Sequence, residues 1–480
     1  MEKLSIDCLT YIFNELRTDN KSLYSCLLIN KEWCRLVVPI LWERYPYSNC
    51  EESQEKYCNT ILSCLPTSSK QLLIDNYISL PSTILSEPLT FNYVSFCKFL
   101  SDDIIDKIMN FVFEGQALNV NFSKNYLLSQ EIYKLFIRQC EGIKRLEWKI
   151  FLPLASFSEA STKCFSQLHD LYIDLSYVTS NNINDMAQIC KNLNVLYVDC
   201  YSQGIPGLTS LINAQRNLKE IILKFRTKER LCEELDEALA RKGCTINNIT
   251  LFCSVGVISH SFLTSLVNLK SLSICYRLKS YEGIEELKKY LANTIFPDLR
   301  SLIINDDSSC FKELAMLIEK TKGNISDVFI KTLDISVENT GMLLKAISNH
   351  CPKIEQLTTH LGPNDLIYVR SLLMNCKILV RLSLDSLDSC NENYGIGDEL
   401  LDILTKFSLK TLTHITINGN LVYSIDAFEK FFESCRGRKL LYFNINGKRT
   451  IIEKYKDIFK KYYEEDILIG PPVYNWRKKS

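Results

Sequence analysis

A short apolar unit, Φ-x-x-Φ-x-Φ with Φ apolar, recurs twelve times between residues 140 and 446 and leaves few folds open to this chain. It runs from Ile143/Leu146/Trp148, Leu168/Leu171/Ile173 and Leu193/Leu196/Val198 to Leu412/Ile415/Ile417 and Leu440/Phe443/Ile445. Successive units begin 23 to 33 residues apart. The last two apolar positions alternate with polar ones, as in a short strand with one buried face, and the stretch before each unit is spaced as a helix. Ile183, Met186, Ala187 and Cys190 line one such face, and Met342, Leu343, Ala346, Ile347 and Cys351 another. One strand and one helix cannot bury an apolar face alone, but stacked copies share a continuous core. A chain of 480 residues also exceeds the size at which one globular core stops growing. A repeat array is therefore expected.

The twenty cysteines fit this frame without chemistry. Cys140, Cys190, Cys351 and Cys376 each precede their apolar unit by three residues, where a small buried side chain suits the junction of helix and strand. No Cys-x-x-Cys pair occurs, and His169, His260, His350, His360 and His414 are scattered singly, so neither a zinc site nor a redox motif is indicated. No metal or cofactor is expected. The N-terminus lacks the pattern of a secretory signal, and no window reaches the roughly 18 apolar residues of a membrane span. Free thiols and a cytoplasmic or nuclear location follow as expectations. The 56 basic and 56 acidic residues cancel and are interspersed, which gives no field for nucleic acid or an anionic membrane.

Residues 4–45 have a different rhythm. Leu9, Ile12, Phe13 and Leu16 fall at i, i+3, i+4 and i+7, one face of a helix that Ser5 or Asp7 can cap and the turn at Asp19-Asn20 stops. A second short helix carries Leu23, Cys26, Leu27 and Ile29, and a third around Trp33, Leu36 and Val37 is expected to be interrupted at Pro39. Three such helices bury too little surface to be strongly stable alone, so a partner is expected.

Leu4, Leu9, Ile12, Phe13, Leu16, Leu23, Cys26, Ile29 and Trp33, followed by Pro39-Ile40-Leu41-Trp42, resemble the F-box, although Ser5 stands where that motif usually has proline and its first-turn glutamate is missing. The repeats resemble the cysteine-containing class of leucine-rich repeats, often paired with an F-box. The Asn or Cys ladder of that class occurs only at Cys200, Cys253 and Asn420. Together the resemblances imply an α/β leucine-rich-repeat solenoid, a horseshoe, preceded by a small all-α F-box-like domain. The implied division is a helical adaptor-docking domain at 1–45, a connecting region with degenerate early repeats at 46–139, the solenoid at 140–446, and a capping helix and tail at 447–480. Fragments such as Phe91-x-x-Val94-x-Phe96 and Leu118-x-Val120 are read as early repeats, Glu51 to Thr67 as a helix and turn, and Thr450 to Tyr463 as the cap.

The resemblance further implies that the nine box residues dock a Skp-type adaptor, and through it cullin and RING subunits, while the repeats hold an unnamed protein target for ubiquitination. A repeat scaffold or inhibitor without ubiquitin transfer is the alternative. Nucleotide-binding, zinc-protease and hydrolase motifs are missing, and the residues after 446 are too few for the helical domain of a cysteine-nucleophile ligase, so no enzyme is expected. For the target, strand positions flanking the middle apolar residue should project from the sheet. Among them Asp170, Tyr172, Tyr197, Glu220 and Phe329, with Asp199 beside them, have the aromatic and acidic character of an interface that favours a basic segment. The bland reading is that these aromatics pack locally.

Overall fold

The computed structural model describes residues 4–43, 51–82, 84, 89–113, 122–149, 154–200, 206–226, 234–275, 283–306, 310–332, 338–386, 394–419, 421–438, 440–446 and 455–469. Leu118, Val120, Asn420, residues 450–454 and the tail from Gly470 lie outside them. The fold is α/β, in two compact units, Met1–Leu218 and Lys219–Ser480.

The first unit begins with three helices, α1 (Ile6–Glu15), α2 (Asn20–Leu27) and α3 (Lys31–Glu43). Each has a side-chain start signal. Ser5 Oγ accepts from the Cys8 amide at 3.3 Å, Asp19 Oδ1 from Ser22 at 3.2 Å, and Asn30 Oδ1 from Trp33 at 2.9 Å. Pro39 does not interrupt the third helix as expected; it lies inside α3. Proline removes one backbone hydrogen bond, but Val37, Ile40 and Leu41 pack into the box core and Trp42 stacks on Tyr57 at 4.9 Å, contacts that a break would forfeit. Arg17 and Lys144 both pair with Glu43 at 3.1 Å, fastening the end of α3.

Helices α4 (Glu51–Ser63) and α5 (Thr67–Asp75) follow, matching the helix and turn read at 51–67. The early repeat expected at Phe91–Phe96 is not a strand. Tyr93–Phe96 forms a 3-10 turn, with the preceding Phe91 ring packed edge-on against Tyr93 and Phe96, and the strand β1 comes at Phe99–Leu100. Next come α6 (Asp102–Val112) and α7 (Phe122–Gln139), then β2 (Arg145–Trp148), β3 (Asp170–Asp174) and β4 (Val195–Cys200). The four strands pair in parallel and in chain order, so that Leu146, Leu171 and Leu196 share one row. Helices 158–165 and 180–189 separate them, as parallel pairing requires.

The second unit continues the same rule: β5 (Glu220–Phe225), β6 (Asn248–Phe252), β7 (Ser271–Cys275), β8 (Ser301–Asp306), β9 (Asp327–Thr332), β10 (Gln356–Leu361), β11 (Arg381–Ser386), β12 (His414–Asn418) and β13 (Tyr442–Asn446). Each pairs in parallel with the next. All twelve apolar units coincide with β2 to β13 and the residue leading into each, and none of their members is more than 7% exposed. The solenoid-like repeat read from the spacing is thus the fold of both units.

The cysteines before the strands do more than fill space. Cys140 Sγ donates to the Val94 carbonyl at 3.0 Å, Cys190 Sγ to Phe165 at 3.4 Å, and Cys376 Sγ to Cys351 at 3.5 Å, each satisfying a carbonyl of the preceding repeat. Gln215 holds the same place three residues before Leu218. Its amide donates to the carbonyls of Cys190 and Leu211 and accepts from the Leu193 amide at 2.9 Å. Burial pushes the thiols of Cys97 and Cys190 up to about 12, which keeps them protonated.

At the C-terminal end Phe428, Phe431, Phe432, Phe443, Phe459 and Tyr462 form one aromatic cluster around the helices 425–434 and 456–464. Tyr455 Oη donates to the Tyr423 carbonyl at 2.7 Å and accepts from its amide at 3.0 Å. The charged helix read within 450–463 is present as Lys456–Glu464.

Candidate protein-interaction surfaces

The nine box residues fall into two groups. Leu9, Phe13, Leu23 and Cys26 are buried, with Val37, in a core against which Leu16 and Trp33 are partly buried. Trp33 meets Phe13 edge-on at 5.1 Å. These six hold the box together, and the four buried ones offer no direct contact to a partner. The other three are open: Leu4 at 58%, Ile12 at 41% and Ile29 at 56%.

Beside them stand residues that helical periodicity did not single out. Ile6, Tyr11, Tyr24 and Leu28, the last 88% exposed, are also in water. Seven large apolar side chains are therefore exposed between residues 4 and 29. Scattered singly, such residues need no explanation; concentrated on one small helical module they make it a candidate interaction surface. The signal was available in the sequence, because α1 and α2 carry more apolar residues than a single buried stripe can use.

On the first unit's sheet the positions between the buried rows are half-exposed. Register places Glu147, Tyr172 and Tyr197 side by side, with Arg145, Asp170 and Val195 in the row before. The two tyrosines stack at 5.5 Å, and the Arg145 guanidinium lies 4.4 Å from the Tyr172 ring centre while pairing with Glu147 at 2.9 Å. Tyr172 is thus packed between a neighbouring ring and its own chain's cation, which matches the local-packing reading for that residue. Burial raises the pKa of the Asp170 carboxyl, with Arg145 and His169 opposing. Asp199 does not join this surface. It is the penultimate residue of β4, whose last three residues are all buried, and is 7% exposed.

In the second unit Glu220 and Phe329 are half-exposed but not neighbours. They stand on β5 and β9, four strands or about 19 Å apart at the usual strand spacing. Phe329 sits in register with Ile303 and Thr358, and Lys331 approaches its ring at 5.5 Å.

Among the described residues no group of His, Cys, Asp and Glu is placed to hold a metal ion, and no helix is long and apolar enough to cross a membrane. No protein-family model matches the chain, and no curated protein matches it either.

Proposed function

We propose that this chain is the substrate-recruiting subunit of a cullin-type ubiquitin ligase, an F-box-like module joined to leucine-rich-type repeats. On this reading the box docks a Skp-type adaptor, which brings cullin and RING subunits, and the repeats hold the protein to be modified. One observation carries it: a three-helix box with a five-residue core leaves seven large apolar side chains in water. So small a core leaves the module marginal, and covering those side chains would stabilise it as well as bind the partner.

The half-exposed strand positions of each unit supply the target-binding surfaces. Tyr197 is the aromatic anchor on the first unit, since Tyr172 is covered on its faces by Arg145 and Tyr197, and Phe329 is the anchor on the second. The chain itself supplies no nucleophile in this scheme, and ubiquitin passes from the conjugating enzyme to the bound target.

The test is co-purification from cell extract with the tagged full chain. Adaptor together with cullin is the expected result, and adaptor without cullin, or neither, would leave only a repeat scaffold. In a reconstituted reaction transfer should require the RING subunit and conjugating enzyme, and a reducible ubiquitin adduct on any cysteine of this chain would contradict the scheme.

A further inference from the structure

Helices α6 and α7, with the end of β2, enclose a cleft of about 640 Å³ in the first unit. That is within the size of sites that take a ligand or a partner's side chain. Its chemistry is divided. Ile105, Met109 and Tyr133 give it an apolar floor, and Phe122 and Tyr126, stacked at 6.4 Å with their planes within 7°, form a flat aromatic wall. Phe122 is 79% exposed, a costly placement for a phenyl ring unless something packs on it.

The charge in the cleft is unbalanced. Two carboxylates, Asp102 and Asp106, face one cation, Lys149, and Lys149 is paired with Asp102. Asp106 has no ion pair among the described residues, so one negative charge is left over. Asp106 is itself exposed, within reach of an incoming group, and partial desolvation, and then the nearby Asp103, push its carboxyl up, as for an ion without a counter-charge. An incoming cation would supply that charge. An anion would meet repulsion, and a neutral apolar group would desolvate the carboxylate further without pairing it.

We propose that this cleft takes one basic side chain, arginine or lysine, from a peptide segment of another protein, its cation on Asp106 and its methylene stem against Met109, Phe122 and Tyr126. The stem would cover apolar surface while the head stays near water, and a guanidinium lying on an aromatic wall beside a carboxylate is the arrangement this unit already builds from Arg145, Tyr172 and Glu147. The site requires neither the box nor an adaptor and stands apart from the ligase reading.

The test uses the full chain and a fluorescein-labelled peptide, Gly-Leu-Arg-Leu-Gly, beside the same peptide with citrulline, which keeps the shape and loses the charge. Fluorescence anisotropy should show the arginine peptide binding about tenfold more tightly, the effect of one well-placed cation. Asp106→Asn should erase the difference between the peptides, and Tyr126→Ala should weaken both. Equal binding of the two peptides, or a difference that survives Asp106→Asn, would overturn the proposal.

Discussion

The N-terminal box and the repeats bury apolar side chains in opposite ways. In the repeats the apolar units are used up: every member is packed against the next strand or helix, and the last repeat is closed by an aromatic cluster under the helix Lys456–Glu464. In the box five residues form the core and seven comparable ones remain outside. A repeat can hand its apolar face to the next copy, whereas a three-helix module has no next copy. On the proposed reading, its surplus is the surface that an adaptor covers.

The contrast predicts where mutations act. The largest effect belongs at the closed end. Phe428→Ala empties a position that touches Tyr423, Phe432, Phe443, Tyr455 and Phe459, and should destabilise the second unit by about 3–5 kcal/mol in denaturant unfolding. A loss below about 1 kcal/mol would mean that the cluster is looser than its geometry.

Acid should weaken the repeats next. Burial pulls the His260 imidazole down from its usual 6.5 to about 4, with Glu286 opposing, and its Nε2 lies 3.1 Å from Ser254 Oγ. Below 6.5 the unfolded chain takes up a proton that the fold resists. The contribution is therefore whole above pH 6.5, shrinks as pH falls towards 4, and costs at most about 3 kcal/mol there. Stability measured across this window should fall less steeply in His260→Gln; parallel curves would refute the assignment.

A smaller gain tests how completely the repeats are packed. Thr359 occupies an apolar position of its unit, fully buried, and its hydroxyl has no hydrogen-bond partner among the described residues. Thr359→Val keeps the shape and removes the unsatisfied group, and should raise the denaturation midpoint by the equivalent of about 1 kcal/mol. No gain would point to a partner that the hydroxyl finds in solution.

The repeats were the more legible region because strand and helix periods impose their rows directly on the chain. Ile143, Leu146 and Trp148, and eleven units like them, announce a buried face, and the cysteines mark the junctions. Gln215 escaped notice because an amide does not look like a thiol, although both satisfy a carbonyl of the preceding repeat. Phe91-x-x-Val94-x-Phe96 imitated the repeat without being one, since a 3-10 turn that buries Val94 and packs the Phe91 ring on Phe96 puts apolar residues at the same spacing. Asp199 was misplaced because the alternation of buried and half-exposed positions stops before the strand does: Val198, Asp199 and Cys200 are all buried. In the box, periodicity identified Leu9 and Phe13 as apolar but could not divide core from surface. Only the packing of α1 and α2 on α3 separates Phe13 from Ile12.

The smallest effect on stability should accompany the loss of binding, and that pairing tests the central claim most directly. Ile12→Asp with Ile29→Asp changes two exposed side chains outside the box core, so unfolding of the full chain should shift by no more than about 1 kcal/mol. Affinity for a purified Skp-type adaptor, measured by calorimetry, should fall at least about thirtyfold, as expected for two buried anchors. Unchanged adaptor binding by the folded double variant would contradict the account.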